Sequence, residues 1–100
     1  MRIIARRSVL GYAERHAAAR AALTHWLAIV SSANWKSASE VQAAFSKGKV
    51  LNGERVRFEI AGGDFRLIAA FDFARGIAFV KFIGTHAEYD RVDALTVSQF

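Results

Sequence analysis

The chain has 100 residues, 53% of them hydrophobic, with 14 lysines and arginines against 9 aspartates and glutamates, a formal net charge of +5. This length supports one hydrophobic core and is too short for two, so residues 1–100 are expected to form a single domain. The absence of cysteine excludes disulfides, thiolate metal sites and a cysteine nucleophile. A pI of about 10.2 points to an anionic partner, either nucleic acid or an acidic protein. The excess lies early in the chain: residues 1–54 carry eight basic and three acidic side chains, and residues 55–100 carry six of each.

The opening "MRIIARRSVLGYAERH" is interrupted by Arg6, Arg7 and Glu14 before an export signal could form, and no long apolar run follows. A soluble cytoplasmic protein without a membrane partner is expected. Arg2–Ala5 is short and β-branched and reads as an edge or central strand. Ser8 offers a cap to a helical run reaching His16, despite Gly11. In "AAARAALTHWLAIV", Ala19, Ala22, Leu23, Trp26, Leu27 and Val30 recur at helical spacing and form a core stripe. "SASE" reads as a capping box, Ser37 with Glu40, opening a short helix to about Phe45. "SKGKVLNG" reads as a loop.

From Glu54 the hydrophobic period changes to two, and "RVRFEIAGGDFRLIAAFDFARGIAFVKFIG" reads as a three-stranded meander turning at Gly62-Gly63 and Phe73-Ala74. These turns place Glu59 opposite Arg66, Arg57 opposite Ile68, and Arg66 opposite Lys81. Val56, Phe58, Ile60, Phe65, Leu67, Ala78, Val80 and Phe82 then share the face that covers the helices. The other face gathers Arg57, Glu59, Arg66 and Lys81 beside Ile68, Phe79 and Ile77. Like charges on neighbouring strands oppose sheet formation unless they converge on an anion such as phosphate. An ordinary cross-strand Glu59–Arg66 ion pair, worth roughly 0–1 kcal/mol, is the competing reading. The segment after Ala94 is expected to be poorly anchored.

Thr85 and Glu88 form T-x-x-E directly after the last strand, a capping box that starts helical structure at His86. The box leaves unexplained why His86, Tyr89 and Asp90 fall at i, i+3 and i+4, on one side of the same turn. A titratable imidazole near the strand that bears Lys81 suits proton transfer at a phosphate, while a packed tyrosine beside an ion-paired histidine is the structural alternative. His16 and His25 lack ligand spacing and read as helix-surface residues, so no metal or other cofactor is expected.

The sequence resembles the HigB branch of the RelE-like toxins of bacterial type II toxin–antitoxin pairs. The resemblance rests on "RIIAR", "HWL" followed by "ANWKSASEVQAAF", "NGERVRFEIAGGDFRLI" and, above all, "RGIAFVKFIGTHAEYDRVDA". It implies an α+β, RelE-like fold, with the N-terminal strand and helices on one face of a small, mainly antiparallel sheet that ends in the meander. It also implies a ribosome-dependent mRNA endonuclease without metal, neutralised by a helix-turn-helix antitoxin of the HigA type. In this family a ribose 2′-OH attacks the adjacent phosphate, which needs positioning, proton transfer and cations for the pentacoordinate phosphorus. On matching positions Arg66 and Lys81 would stabilise phosphate charge, His86 would act as base or acid, and Tyr89 would orient or donate. Arg57, Glu59 and Asp90 are read as RNA-binding, with two roles open for Glu59, a base or a partner of Arg66 that weakens RNA binding, and two for Asp90, fixing the His86 tautomer or capping structure. Two departures stand out: "FEIAGGD" replaces an asparagine-bearing F-N-I-x-G-N run, putting Glu59 and Asp64 at those places, and "RHAAAR" lacks the proline after the first helix. Related folds also include non-catalytic gyrase inhibitors of the ParE kind. A plain RNA-binding module using the Phe79 and Arg57 face is a third possibility.

Overall fold

The computed structural model describes residues 1–100 and is α+β. In chain order it contains β1 (Arg2–Ile4), α1 (Arg6–Arg15), α2 (Ala17–Ser32), α3 (Ala38–Ala44), β2 (Lys49–Val50), β3 (Arg55–Ile60), β4 (Phe65–Asp72), β5 (Ile77–Thr85) and α4 (His86–Tyr89). The five strands form one sheet in the order β1-β5-β4-β3-β2. β1 is an edge strand, parallel to β5, and the other pairs are antiparallel.

The helices differ from expectation at their ends. α1 starts at Arg6 behind Ala5 with no side-chain cap, so Ser8 sits inside the first turn. The helix breaks at His16, whose N–H donates to Tyr12 O at 3.0 Å, and α2 begins one residue later. One residue with non-helical backbone, His16, thus makes the junction without proline. The α2 stripe is as read: Ala19, Leu23, Trp26, Leu27 and Val30 are buried, and Ala22 packs against them. Ser37 caps α3 by accepting from Glu40 N–H at 3.4 Å, but the Glu40 carboxylate accepts from Lys36 N–H at 3.1 Å, one residue further out than a closed box requires. Inside the expected loop "SKGKVLNG", Lys49 and Val50 pair with Arg57 and Val56 as a short edge strand.

The β3–β4 connection is a tight turn over Ala61–Asp64 rather than a two-glycine turn. Because it is centred on the same bond, the expected register holds, with Glu59 opposite Arg66 and Arg57 opposite Ile68. The β4–β5 register departs. Its turn occupies Phe73–Gly76, with Asp72 opposite Ile77, and a bulge follows where Ala69 faces Val80 but Ile68 faces Phe82. Lys81 is the extra residue. Arg66 therefore lies opposite Gly84, not Lys81, three residues or roughly 10 Å along the strand.

The bulge also reverses the alternation beyond it. Ala78 and Val80 belong to the helix-side core, whereas Phe82 leaves it and Ile83 takes its place. That core is built around Phe58, with Trp26 at 5.4 Å and Phe45 at 4.9 Å between ring centres, both edge to face. On the other face Ile68, Ala70 and Phe82 are buried outside the helix-side core. The chain after α4 crosses this face and is tied down: Arg55 Nη1 donates to Ala94 O at 3.1 Å and to Val97 O at 2.8 Å. The expectation of a loose end after Ala94 fails because Arg55, 8% exposed, needs acceptors and finds them in that segment. No helix is long and apolar enough to cross a membrane.

Candidate active site

α4 is a single turn set against the end of β4 and β5, and its placement follows from three local bonds. Thr85 Oγ1 accepts from Glu88 N–H at 3.1 Å while Thr85 N–H donates to Glu88 Oε1 at 2.8 Å, the reciprocal box read from the sequence. His86 N–H donates to Asp64 O at 3.0 Å, joining the β3–β4 turn to the helix start. The Glu88 carboxyl is held below the usual carboxylate range, first by the Thr85 backbone N–H, then by the Thr85 hydroxyl, with the charges of His16 and Arg91 adding to the effect.

Thus fixed, α4 lays Tyr89 against two cations of the sheet. The Arg66 guanidinium carbon lies 5.6 Å from the Tyr89 ring centre and that of Arg57 lies 6.0 Å away. Phe82, turned out by the bulge, supports the same ring at 6.2 Å between centres. Two arginines sharing one aromatic ring resist their mutual repulsion through cation–π attraction. Glu59 supplies the compensating charge, but to Arg57 at 3.4 Å, along the strand rather than across it to Arg66. Arg66 Nε instead donates to Gly63 O at 3.3 Å. Arg57 Nε is buried with no partner, an unmet donor beside the ring.

The turn that feeds this cluster needs glycine at one position above all. Gly63 has φ +95°, and a Cβ there would lie 2.9 Å from the Glu59 carboxylate and 3.8 Å from Arg66 Nη2. Gly63 therefore leaves the room that the Glu59 carboxylate occupies, and its carbonyl accepts from Arg66.

His86 and Asp90 pair on the outer side of α4, Nδ1 to Oδ2 at 3.1 Å, with both side chains more than half exposed. Their partnership leaves Nε2 as the ring nitrogen open to solvent or substrate. Lys81 is not brought into the cluster. Its ammonium lies 5.5 Å from the ring centre of Phe79, further down β5. No three His, Asp or Glu side chains converge closely enough to hold a metal ion.

Three features of this end of the molecule had no clear signal in the sequence. Phe82 carries the outward packing only because of the bulge. Arg55 is an internal anchor that alternation alone makes look like a surface cation. His16 is not a helix-surface residue but half-buried at the α1–α2 break, stacked on Tyr12 at 3.8 Å between ring centres, with Phe65 edge-on to both. His25 is exposed on α2, as expected. Burial raises the Tyr12 phenol, and the Glu88 charge adds to this while Arg15 opposes it.

Among known protein families, the model of the HigB toxin, a RelE-like toxic component of a toxin-antitoxin system, matches residues 19–92. The chain belongs to the HigB toxin family. A search of curated proteins found no match. The HigB match runs from α2 through α4 and takes in Arg57, Glu59, Arg66, Lys81, His86, Tyr89 and Asp90. As the toxic component of such a pair, a HigB protein has an antitoxin as its partner, and the mixed sheet with α1, α2 and α3 on one face is the RelE-like fold that the sequence implied.

Proposed function

We propose that this HigB toxin is a ribosome-dependent mRNA endonuclease that stops translation by metal-independent cleavage of the message. The observation that carries the reading is the convergence of Arg57 and Arg66 on the Tyr89 ring, beside a buried and unpartnered guanidinium N–H. Two fixed guanidiniums match the non-bridging oxygens of a phosphodiester, whose charge grows as phosphorus becomes pentacoordinate.

In this reaction the ribose 2′-oxygen attacks the adjacent phosphorus. A bond forms from phosphorus to O2′ and the bond to O5′ breaks, leaving a 2′,3′-cyclic phosphate and a 5′-hydroxyl. His86, with Nδ1–H donated to Asp90, accepts the 2′-OH proton at Nε2. The Tyr89 hydroxyl gives a proton to the departing O5′, and solvent resets both groups. Lys81, set apart on the bulge, contacts a flanking phosphate rather than the reacting one. Glu59 draws charge from Arg57 and leaves Arg66 as the stronger phosphate ligand.

The ribosome supplies the positioning that an open sheet face lacks. Exposed Arg2, Arg6, Arg7, Arg15 and Arg20, at the edge strand and on α1 and α2, provide a basic surface for ribosomal RNA. The site of action is then the cytoplasm, and the antitoxin is a helix-turn-helix protein of the HigA type.

Primer extension on a defined message in a translating extract, with and without ribosomes, tests this reading. Cuts that need ribosomes and end in a 5′-hydroxyl are expected. An intact message with arrested growth and inhibited DNA supercoiling would instead make the protein a ParE-like gyrase inhibitor, and binding of RNA without cleavage would make it a plain RNA-binding module.

A further inference from the structure

β1 pairs with β5 only at Ile77–Phe79, so the backbone of Lys81 and Ile83 lies beyond its reach. Gln99 takes up both positions. Its N–H donates to Lys81 O at 2.8 Å, and its side-chain Oε1 accepts from Ile83 N–H at 2.9 Å. These bonds bracket Phe82 and fall on the bulge itself. The segment that delivers Gln99 is held in turn by Arg55, the one charged side chain buried in the protein.

A bulge interrupts the ladder and leaves backbone groups to be satisfied elsewhere. Here it also selects between two registers. Without it, the spacing of Ala78 and Val80 would continue to Phe82, sending that ring among the helices and Ile83 outward. With it, Phe82 lies under Tyr89.

We infer that Gln99, which lies outside the family match, is a positioning residue: by clamping the bulge it holds Phe82 beneath Tyr89 and so sets the spacing of the Arg57 and Arg66 guanidiniums. The inference rests on reading that group as the mRNA-cleaving site. It also makes the segment after α4 a working part of the site.

Gln99→Met keeps the length of the side chain and removes the acceptor. Relative to wild type, amide exchange at Ile83 should speed about tenfold, and the Phe82–Tyr89 ring NOEs should weaken. The kcat for message cleavage should fall about tenfold while KM holds within about twofold, because geometry rather than affinity is lost. Gln99→Glu retains Oε1 and should restore both Ile83 protection and kcat. Unchanged Ile83 exchange in Gln99→Met would show that no clamp exists. Faster exchange with unaltered NOEs and kcat would show a clamp that positions nothing. If wild-type protein cuts no message, the functional reading falls by itself, and the exchange and NOE measurements alone decide the role of Gln99.

Discussion

The two faces of the sheet are built on different physics. The helix-side face is a dry, interlocked layer in which Phe58, Leu67 and Val80 meet Trp26, Leu27 and Val30 at almost no exposure. The other face holds cations on an aromatic ring, a strained turn and a crossing segment tied by side-chain bonds. The first depends on volume and the second on geometry. Damage to the first should unfold the protein, whereas damage to the second should leave a folded but inactive toxin.

The largest expected effect separates these cases most sharply. Phe58→Ala removes a ring fully enclosed by aromatic neighbours and should cost about 3–5 kcal/mol, a large share of a domain's total of about 5–15, as measured by urea denaturation. Arg66→Ala should leave that transition within about 1 kcal/mol of wild type yet lower ribosome-dependent cleavage by about 10²–10³. A joint loss of stability and activity in Arg66→Ala would erase the distinction between the faces.

Smaller changes probe the irregular features of the second face. Gly63→Ala combines a positive φ with a close approach to the Glu59 carboxylate and should destabilise by about 1–2 kcal/mol, with cleavage altered as that carboxylate, the partner of Arg57, is displaced. Thr85→Ala opens the capping box and should cost about 1 kcal/mol. The same box responds to acid. Because the folded Glu88 carboxyl titrates below its ordinary value of about 4.3, it favours the folded state above that value, and this contribution disappears as pH falls through the folded pKa. Wild type should therefore lose more stability than Glu88→Gln, which keeps Oε1 but has no charge to lose, as the pH in urea titrations falls through the folded pKa of Glu88. Lys81→Ala should have the mildest effect on cleavage and should reduce the salt slope of RNA binding by about 1.

Periodicity carried the helix-side face well, because burial on one side forces alternation in strands and a stripe in helices. Glu59 opposite Arg66 was also legible, since the longer turn shares its centre with the shorter one. The Arg66–Lys81 pairing was not. A turn two residues longer and one extra residue at Lys81 shift the register by three; the turn is marked by Gly76 at φ +69° and by Asp72 accepting from Arg75 N–H, but the bulge leaves no mark in residue type. Thr85–Glu88 was readable because a cap is local in sequence. The Arg57–Tyr89–Arg66 cluster and the Gln99 clamp join residues whose meeting depends on that bulge, beyond the reach of pattern. Arg55 misleads for the same reason: its acceptors at Ala94 and Val97 lie far away along the chain.

In the proposed reaction Arg66 acts with Arg57, Tyr89 and His86, and Lys81 stands outside this group. The cleavage rate of ribosome-bound message by Arg66→Ala, measured beside Lys81→Ala, tests this most directly. A fall of about 10²–10³ for Arg66→Ala against less than about tenfold for Lys81→Ala is the predicted result. Equal losses in the two variants, or wild-type cleavage by Arg66→Ala, would contradict it.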